Sequence, residues 1–324
     1  MATFWRDNPL ARPIAILLAC ILALTLADLG RGRVFSPATV FSTLETFATG
    51  GLVALGLGLT IMMREFDLSV AGVYSLAGCI IVLAGADHPL LGLAAALATG
   101  VFVGLLQGFA IVKLRLSSVG VTLGGLLATV GLAYVVTGNR SLPYDNLEVT
   151  LAITRRLAGV FTIRSLIVLA FVAIVAIVFA VTRWGREIIA IGSDRRAATT
   201  AGVNVEARVM AVFALSGFCA ALSGALLSFA LATASASGLS DVIPPAAAAA
   251  ILGGVSLAGG TGRPLGIALG ALTLGLLRAG LNALGAPPFI NDIALGGILL
   301  TVAILDGPDF VRRLSFISTA KTPS

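Results

Sequence analysis

Charge is what this chain has least of. Charged residues make up 11% of its 324 positions, against roughly 25% in an ordinary soluble domain. Most of the chain therefore has no water-facing role and must lie against lipid or other apolar segments. Aromatic residues are 6%, and the single histidine, His88, stands in a turn, Asp87-His88-Pro89. The three cysteines, Cys20, Cys79 and Cys219, all fall inside apolar runs. An odd number of such thiols gives no disulfide framework, and nothing has the spacing of metal ligands, so no metal site is expected. The chain has no G-x-x-x-x-G-K-[ST] phosphate loop, which excludes it as the ATP-hydrolysing part of a machine. It also lacks a nucleophile–base pair, so no catalytic residue and no bound cofactor is assigned.

What is abundant is small and apolar. Hydrophobic residues are 58% and glycine numbers 38. Small residues let helix backbones approach closely in a bilayer, where apolar area alone does not drive helices together. The composition defines an all-α polytopic membrane protein. The basic balance, with a net charge of +6, reads as loop charge that sets orientation and not as a nucleic-acid surface.

A bilayer core of about 30 Å needs about 20 helical residues. On that measure ten spans are expected, near 13–29, 43–63, 68–86, 89–112, 119–137, 165–182, 209–232, 244–258, 264–282 and 290–305. The first follows Arg6 and Arg12 and could pass for a signal peptide. Ala27-Asp28-Leu29 is a poor cleavage site, so it is read as an uncleaved span. With the N-terminus inside, the inner segments hold Arg6, Arg12, Arg64, Lys113, Arg115, Arg183, Arg186, Arg195, Arg196, Arg208, Arg263, Arg312, Arg313 and Lys321, fourteen basic residues. The outer segments hold Arg31, Arg33, Arg140, Arg155, Arg156 and Arg164, which is six, and Arg278 lies within a span. That excess places both termini in the cytoplasm. The chain reads as one transmembrane domain over 1–324, with a membrane region at 13–305, a cytoplasmic loop at 183–208 and a cytoplasmic tail at 306–324. The outer loop 138–164 is polar enough to carry a short surface helix.

The 183–208 loop is RWGREIIAIGSDRRAATTAGVNVEAR. Ser193 or Asp194 can cap a short helix over Arg195–Ala201, and Gly202 can end it in a left-handed turn. A short, capped, basic helix between two spans is poorly placed for lipid and well placed to be held by another protein. Two breaks stand out elsewhere. REFDLS (Arg64–Ser69) divides the second and third spans. Asp67 and Ser69 can line a polar path there, since intramembrane ionisable groups usually face a cavity, or Asp67 can cap the third span in an ordinary turn. ILGGVSLAGGTG (Ile251–Gly262) has glycines that can mark a pathway or only tight packing. The fourth span, PLLGLAAALATGVFVGLLQG, echoes the ninth, PLGIALGALTLGLLRAG, with Gln107 and Arg278 at matching ends. An inverted repeat of spans 2–5 and 7–10 is therefore expected, with the path at the interface of the repeats. Arg278 is expected to pair with Asp292 across the last hairpin or to meet a hydroxylated substrate.

These segments together resemble the permease subunits of bacterial ABC importers of the ribose, xylose, arabinose and galactoside type, from about residue 36 to 306. LGLGLTIMMREFDLSVAG resembles the stretch that ends Gly-Gly-Ile-Asp-Leu-Ser-Val-Gly in that family. AAAAAILGGVSLAGGTGRPLG resembles its Leu-Gly-Gly-Thr-Ser-Leu-x-Gly-Gly segment. GREIIAIGSDRRAATTAGVNV is similar to its ATPase-coupling loop. The departures are Arg64-Glu65 in place of Gly-Gly, Phe66 for Ile, Ala71 for Gly, and Ile243 and Pro245 where many relatives carry acids. Gln107 and Arg278 stand where Asn is common.

The resemblance implies an importer subunit for a monosaccharide or polyol in the bacterial inner membrane, without enzymatic activity of its own. Its implied partners are a second permease copy or paralogue, a cytoplasmic ABC ATPase that uses the ATP, and a periplasmic or lipid-anchored substrate-binding protein. ATPase coupling would fall to Gly185, Arg186, Gly192, Ser193, Asp194, Arg195, Arg196, Ala197, Ala198, Gly202 and Asn204. The translocation path would involve Asp67, Ser69, Gln107, Gly253, Gly254, Ser256 and Arg278. The rivals are a permease of the same superfamily for branched-chain amino acids or nucleosides, and an ion-coupled secondary transporter. The latter normally carries mid-span acids or histidine, whereas Asp67, Asp241 and Asp292 lie near span ends.

Overall fold

The computed structural model describes residues 10–236 and 242–301. The expected tail at 306–324 and Asp241 lie outside the described residues. Six helices are long and apolar enough to cross a bilayer: α2 (Pro37–Met62), α4 (Pro89–Lys113), α5 (Ser118–Thr137), α7 (Ile163–Val181), α10 (Val205–Leu231) and α12 (Pro264–Ala283). Four shorter apolar helices, α1 (Ala11–Ala27), α3 (Val70–Ala84), α11 (Ile243–Leu252) and α13 (Pro288–Thr301), accompany them. The polar helices are α6 (Leu147–Thr154), α8 (Arg183–Ser193) and α9 (Arg195–Thr200). The ten apolar helices fall on the ten expected spans, and α6 is the surface helix expected in the 138–164 loop.

Local chemistry sets most of the boundaries. Ser36 caps α2 through the Thr39 amide with Pro37 in its first turn, the residue best suited to a helix start. The start of α10 is four residues earlier than hydropathy places it, because Asn204 accepts from the Ala207 amide at 3.0 Å. The eighth span is shorter than expected, since α11 ends at Leu252 and Gly254 turns with φ +86°.

Of the six long helices α2 and α10 are the most buried, and α3, buried along most of its length, completes the centre with them. Thr49 O accepts from Ser223 Oγ at 2.6 Å and Gly56 lies against Ser216, so α2 and α10 run antiparallel. Along α10, α4 is also antiparallel, with Gly108 against Met210 and Gly100 against Gly217. A Cβ on Gly100 would stand 2.4 Å from Gly217 O; this seam brings main chains into contact without intervening side chains. On the other side α12 runs antiparallel to α2, with Gly275 beside Thr43 and Gly58 beside Ile267. It follows that α4 and α12 point in opposite directions. Exchanging α2, α3 and α4 for α10, α11 and α12 maps the packing onto itself. Thus α2 on α12 becomes α10 on α4, α3 on α10 becomes α11 on α2, and α3 on α4 becomes α11 on α12. The expected inverted relation holds for these three pairs of spans.

Loops gather at two ends, as alternating crossings require. At one end the 64–69 turn meets α8, α9 and the 253–262 loop. At the other, Leu142–Pro143 (β1) pairs antiparallel with Thr233–Ala234 (β2), and the Tyr144 amide donates to Ala232 O at 2.9 Å. Tyr144 Oη donates to Gly85 O at 3.0 Å, and Asn146 Nδ2 to Ala86 O at 3.0 Å.

Candidate translocation and coupling site

The 183–208 segment is more ordered than a loop with one helix. Thr182 breaks it from α7 and caps α8 through the Trp184 amide. Gly185, Ile188, Ile191 and Gly192 form the buried face of α8. That three-to-four spacing was available in the sequence as a signal for this extra helix. A Cβ on Gly192 would stand 1.8 Å from Met62 O, so only glycine lets α8 reach the end of α2. The ion pair of Glu187 with Arg208 ties the middle of α8 to the start of α10, while Lys113 at the end of α4 pairs with Glu206.

Of the two possible caps of the short helix, Asp194 is the one used. Its Oδ1 accepts from the amides of Arg196 at 2.8 Å and Ala197 at 3.0 Å, while Ser193 Oγ turns back to Ile189 O at 2.9 Å. The backbone N–H groups of Ala197 and then Arg196 hold the Asp194 carboxyl below the usual range. At the other end Gly202 has φ +84°. Its amide bonds Thr199 O, and the Val203 amide bonds Ala198 O, both at 3.0 Å, the paired closure that satisfies the last carbonyls. Ala198 is buried and Arg195 Nη1 meets Glu65 Oε1 at 2.9 Å. Arg186, Arg196, Ala197, Thr199 and Thr200 face outward.

The turn between α2 and α3 joins this helix to a buried polar group. Asp67 does not cap α3, whose first residues have no side-chain cap. Instead Asp67 Oδ1 accepts from Ser69 N at 3.0 Å and Ser69 Oγ at 2.6 Å, and Asp67 Oδ2 accepts from Ser216 Oγ at 2.7 Å. Gln107 Oε1 lies 3.0 Å from Ser69 Oγ, and Gln107 Nε2 is buried without a partner. A hydroxyl has one proton and cannot donate twice. Turning the amide over places Nε2 at Ser69 Oγ, which removes the second demand on the hydroxyl proton, makes a one-way chain from Gln107 through Ser69 to Asp67, and leaves Oε1 in the unpartnered place. Asp67, Ser69 and Gln107 are all nearly inaccessible. Three of the path residues are therefore together, Asp67 and Ser69 in the turn before α3 and Gln107 on α4, with α10 supplying Ser216. Ser216 was not singled out in the sequence, where it is one serine among the small residues of a span.

The remaining expected path residues are elsewhere. Gly253 packs against Gly266, Gly254 supplies the turn after α11, and Ser256 Oγ accepts from the Ala258 amide at 3.2 Å. They shape the 253–262 loop, which reaches the end of α2 through the Gly260 amide and Met62 O at 2.9 Å. Arg278 does not pair with Asp292. Both are exposed, and no ion pair joins them. The last hairpin is bridged by Asn291 Nδ2 donating to Asn282 Oδ1 at 3.2 Å; Asp292, the next residue on α13, is turned about 100° away.

A second buried polar group, unforeseen in the sequence, lies at the opposite end. Arg164 is buried at the start of α7 and donates to Glu45 O at 2.9 Å and to Thr49 Oγ1. Thr162 Oγ1 donates to Glu45 Oε1 at 2.6 Å.

An all-helical bundle of antiparallel repeats, with a capped helix at one end tied to a buried polar chain, is the architecture of a transport permease. Residues 39–303 match the family described as branched-chain amino acid transport system / permease component, and the chain belongs to that family. It is 32% identical to a ribose import permease protein of Escherichia coli over 90% of this chain and 92% of that one. It is 26% identical to a fructose import permease protein of Rhizobium meliloti over 96% and 88%. An autoinducer 2 import system permease protein of Yersinia pestis is 28% identical over 95% and 87%. No solved structure matches the chain. The chain is a multi-pass membrane protein of the permease class.

Proposed function

We propose that this chain is the membrane subunit of an ATP-driven importer and passes a monosaccharide or related polyol, delivered by a binding protein, across the inner membrane. The relatives named for ribose and fructose support the sugar class. One observation carries the reading. The 195–200 helix is capped at both ends, buries Ala198 in the bundle and turns a basic, polar face outward. A soluble ATPase would hold that outward face, and a second permease subunit would complete the conduit. Loop charge puts this end and both termini in the cytoplasm.

Ala198→Pro tests the reading. Proline removes a backbone donor and clashes with the preceding turn, costing about 3 kcal/mol or more inside a helix. The amide it removes bonds Asp194 O at 3.0 Å. Insertion depends on apolar length and should persist, while uptake and ATPase co-purification fall; Thr200→Ser should keep both. Normal uptake by the proline variant at normal membrane levels would sink the coupling role.

A further inference from the structure

Within six residues, the turn at Arg64–Ser69 contacts both ends of the proposed mechanism. The left-handed backbone of Arg64, φ +63°, follows directly from the end of α2. Its Nη2 donates to Ser193 O at 2.8 Å and its Nε to Ala258 O at 2.7 Å. One guanidinium thus clasps the last residue of α8, immediately before the Asp194 cap, and the 253–262 loop. The next residue, Glu65, is nearly buried and pairs with Arg195 on α9. On the far side of the same turn, the Phe66 amide donates to Ser118 Oγ at 3.3 Å, while Phe66 O lies 3.0 Å from Thr122 Oγ1, sharing that hydroxyl proton with Ser118 O at 2.8 Å. Both of these anchors are on α5. Asp67 and Ser69 then enter the buried polar chain with α4 and α10.

We propose that Arg64 and Glu65 are positioning residues that carry displacement of the 195–200 helix to the buried Asp67–Ser69–Gln107–Ser216 group. The proposal rests on the coupling role given above to that helix. Its physical basis is the shortness of the link. Between the Arg64 contacts and Asp67 there are two residues, both held by side-chain bonds, so a shift of α8 and α9 has no flexible segment in which to dissipate. The glycine pair that the family pattern has at this place could make neither side-chain contact. In this chain the drive point is therefore connected through charge and not only through backbone packing. Arg64 contributes more of the connection than Glu65. Both guanidinium groups are exposed and both sets of contacts are weakened by solvent, but Arg64 makes two charge-assisted bonds to carbonyls, on two separate segments, where Arg195 makes one ion pair.

The test uses the whole importer, with its ATPase and binding protein, in vesicles loaded with ATP and offered a radiolabelled sugar that the wild type takes up. Uptake per ATP hydrolysed and ATPase co-purification are both measured. Arg64→Ala should keep the ATPase bound but lower uptake per ATP by about fivefold, the size expected for two charge-assisted hydrogen bonds weakened by exposure. Arg64→Lys, which keeps the charge but cannot bridge two carbonyls as a planar fork, should restore only part of it. Glu65→Arg and Arg195→Glu should each lower the ratio by about threefold, as for a partly exposed pair, and the double exchange should bring it back. The exchange also decides the matter if Arg64→Ala does not reach the membrane. Wild-type ratios for Arg64→Ala and both reversals would overturn the clasp, as would loss of ATPase binding in place of loss of uptake per ATP. If Ala198→Pro uncouples in the same assay, that failure leaves the coupling helix standing; if Ala198→Pro is also normal, the coupling reading itself has failed.

Discussion

Arg164 reaches Glu45 across 119 positions of sequence, with Nη2 bonded to Glu45 O at 2.9 Å and Nη1 at 3.5 Å from Glu45 Oε2. It joins the start of α7 to α2 at the end of the bundle opposite α9. Truncating one partner of a fully buried pair costs about 3–5 kcal/mol; here Glu45 is partly exposed and keeps its bond from Thr162, so the loss should fall below that range. Arg164→Met should therefore lower the thermal unfolding temperature of the detergent-solubilised protein. The double variant with Glu45→Met should recover most of the loss. Equal destabilisation by the single and double variants would show that the pair contributes no specific coupling.

Ser216 is expected to matter through Asp67 alone. Ser216→Ala removes the only donor to Asp67 Oδ2 among the described residues, and an unsatisfied buried acceptor costs about 1–3 kcal/mol. In an Asp67→Asn background the same change should cost less, because the acceptor charge has gone. A double-mutant cycle on unfolding and uptake measures the difference. Additive effects would mean that the two side chains do not interact.

The cap of α9 should weaken in acid. The Asp194 pKa is held below its ordinary value by the Ala197 and Arg196 amides. Its contribution is therefore complete above the unfolded carboxylate pKa and disappears as pH falls through the lower, folded one. Amide exchange at Arg196 and Ala197 should accelerate over that acidic window after correction for intrinsic rates. Asp194→Asn, which still caps but does not titrate, should give a flat profile. A wild-type profile as flat as that of the Asn variant would remove Asp194 from this role.

Orientation has its own check. Single cysteines at Ser324 and at positions in the 140–160 loop should label from opposite sides, with the loop reached by an impermeant reagent in intact cells. Labelling of Ser324 from outside would reverse the assignment.

The spans were legible because apolar length and capping residues are local properties. Gly202 and a cap at Ser193 or Asp194 announced α9 by residue type, without deciding between the two caps, and Pro-Leu at 89 and 264 marked the starts of two related helices. What escaped the sequence depends on partners distant along the chain. Ser216 acquires its role only when α10 crosses the turn before α3. Arg164 reads as one more loop charge until α2 brings Glu45 to it. Arg278 and Asp292 suggested a pair because both flank one hairpin, but side-chain direction on a helix changes with every residue, and Asn282 and Asn291 took that place. Arg64-Glu65 was visible as a departure from a family pattern; its meaning came from Ser193, Ala258 and Arg195 arriving at one point.

The ribbon at Leu142–Pro143 and Thr233–Ala234 has a consequence for how this end can vary. Its rung from the Tyr144 amide to Ala232 O is made by main-chain atoms, which every residue but proline supplies at the donor position. Substitutions of the side chains at 142 and 234 can thus accumulate without cutting the tie between the segments that follow α5 and α10, and at 233 the loss is the one bond from Thr233 Oγ1 to Leu142 O at 3.1 Å. The tie is nearly invisible to comparison of residue types. A proline at 144, chemically milder than many charge changes nearby, is the substitution that would untie it.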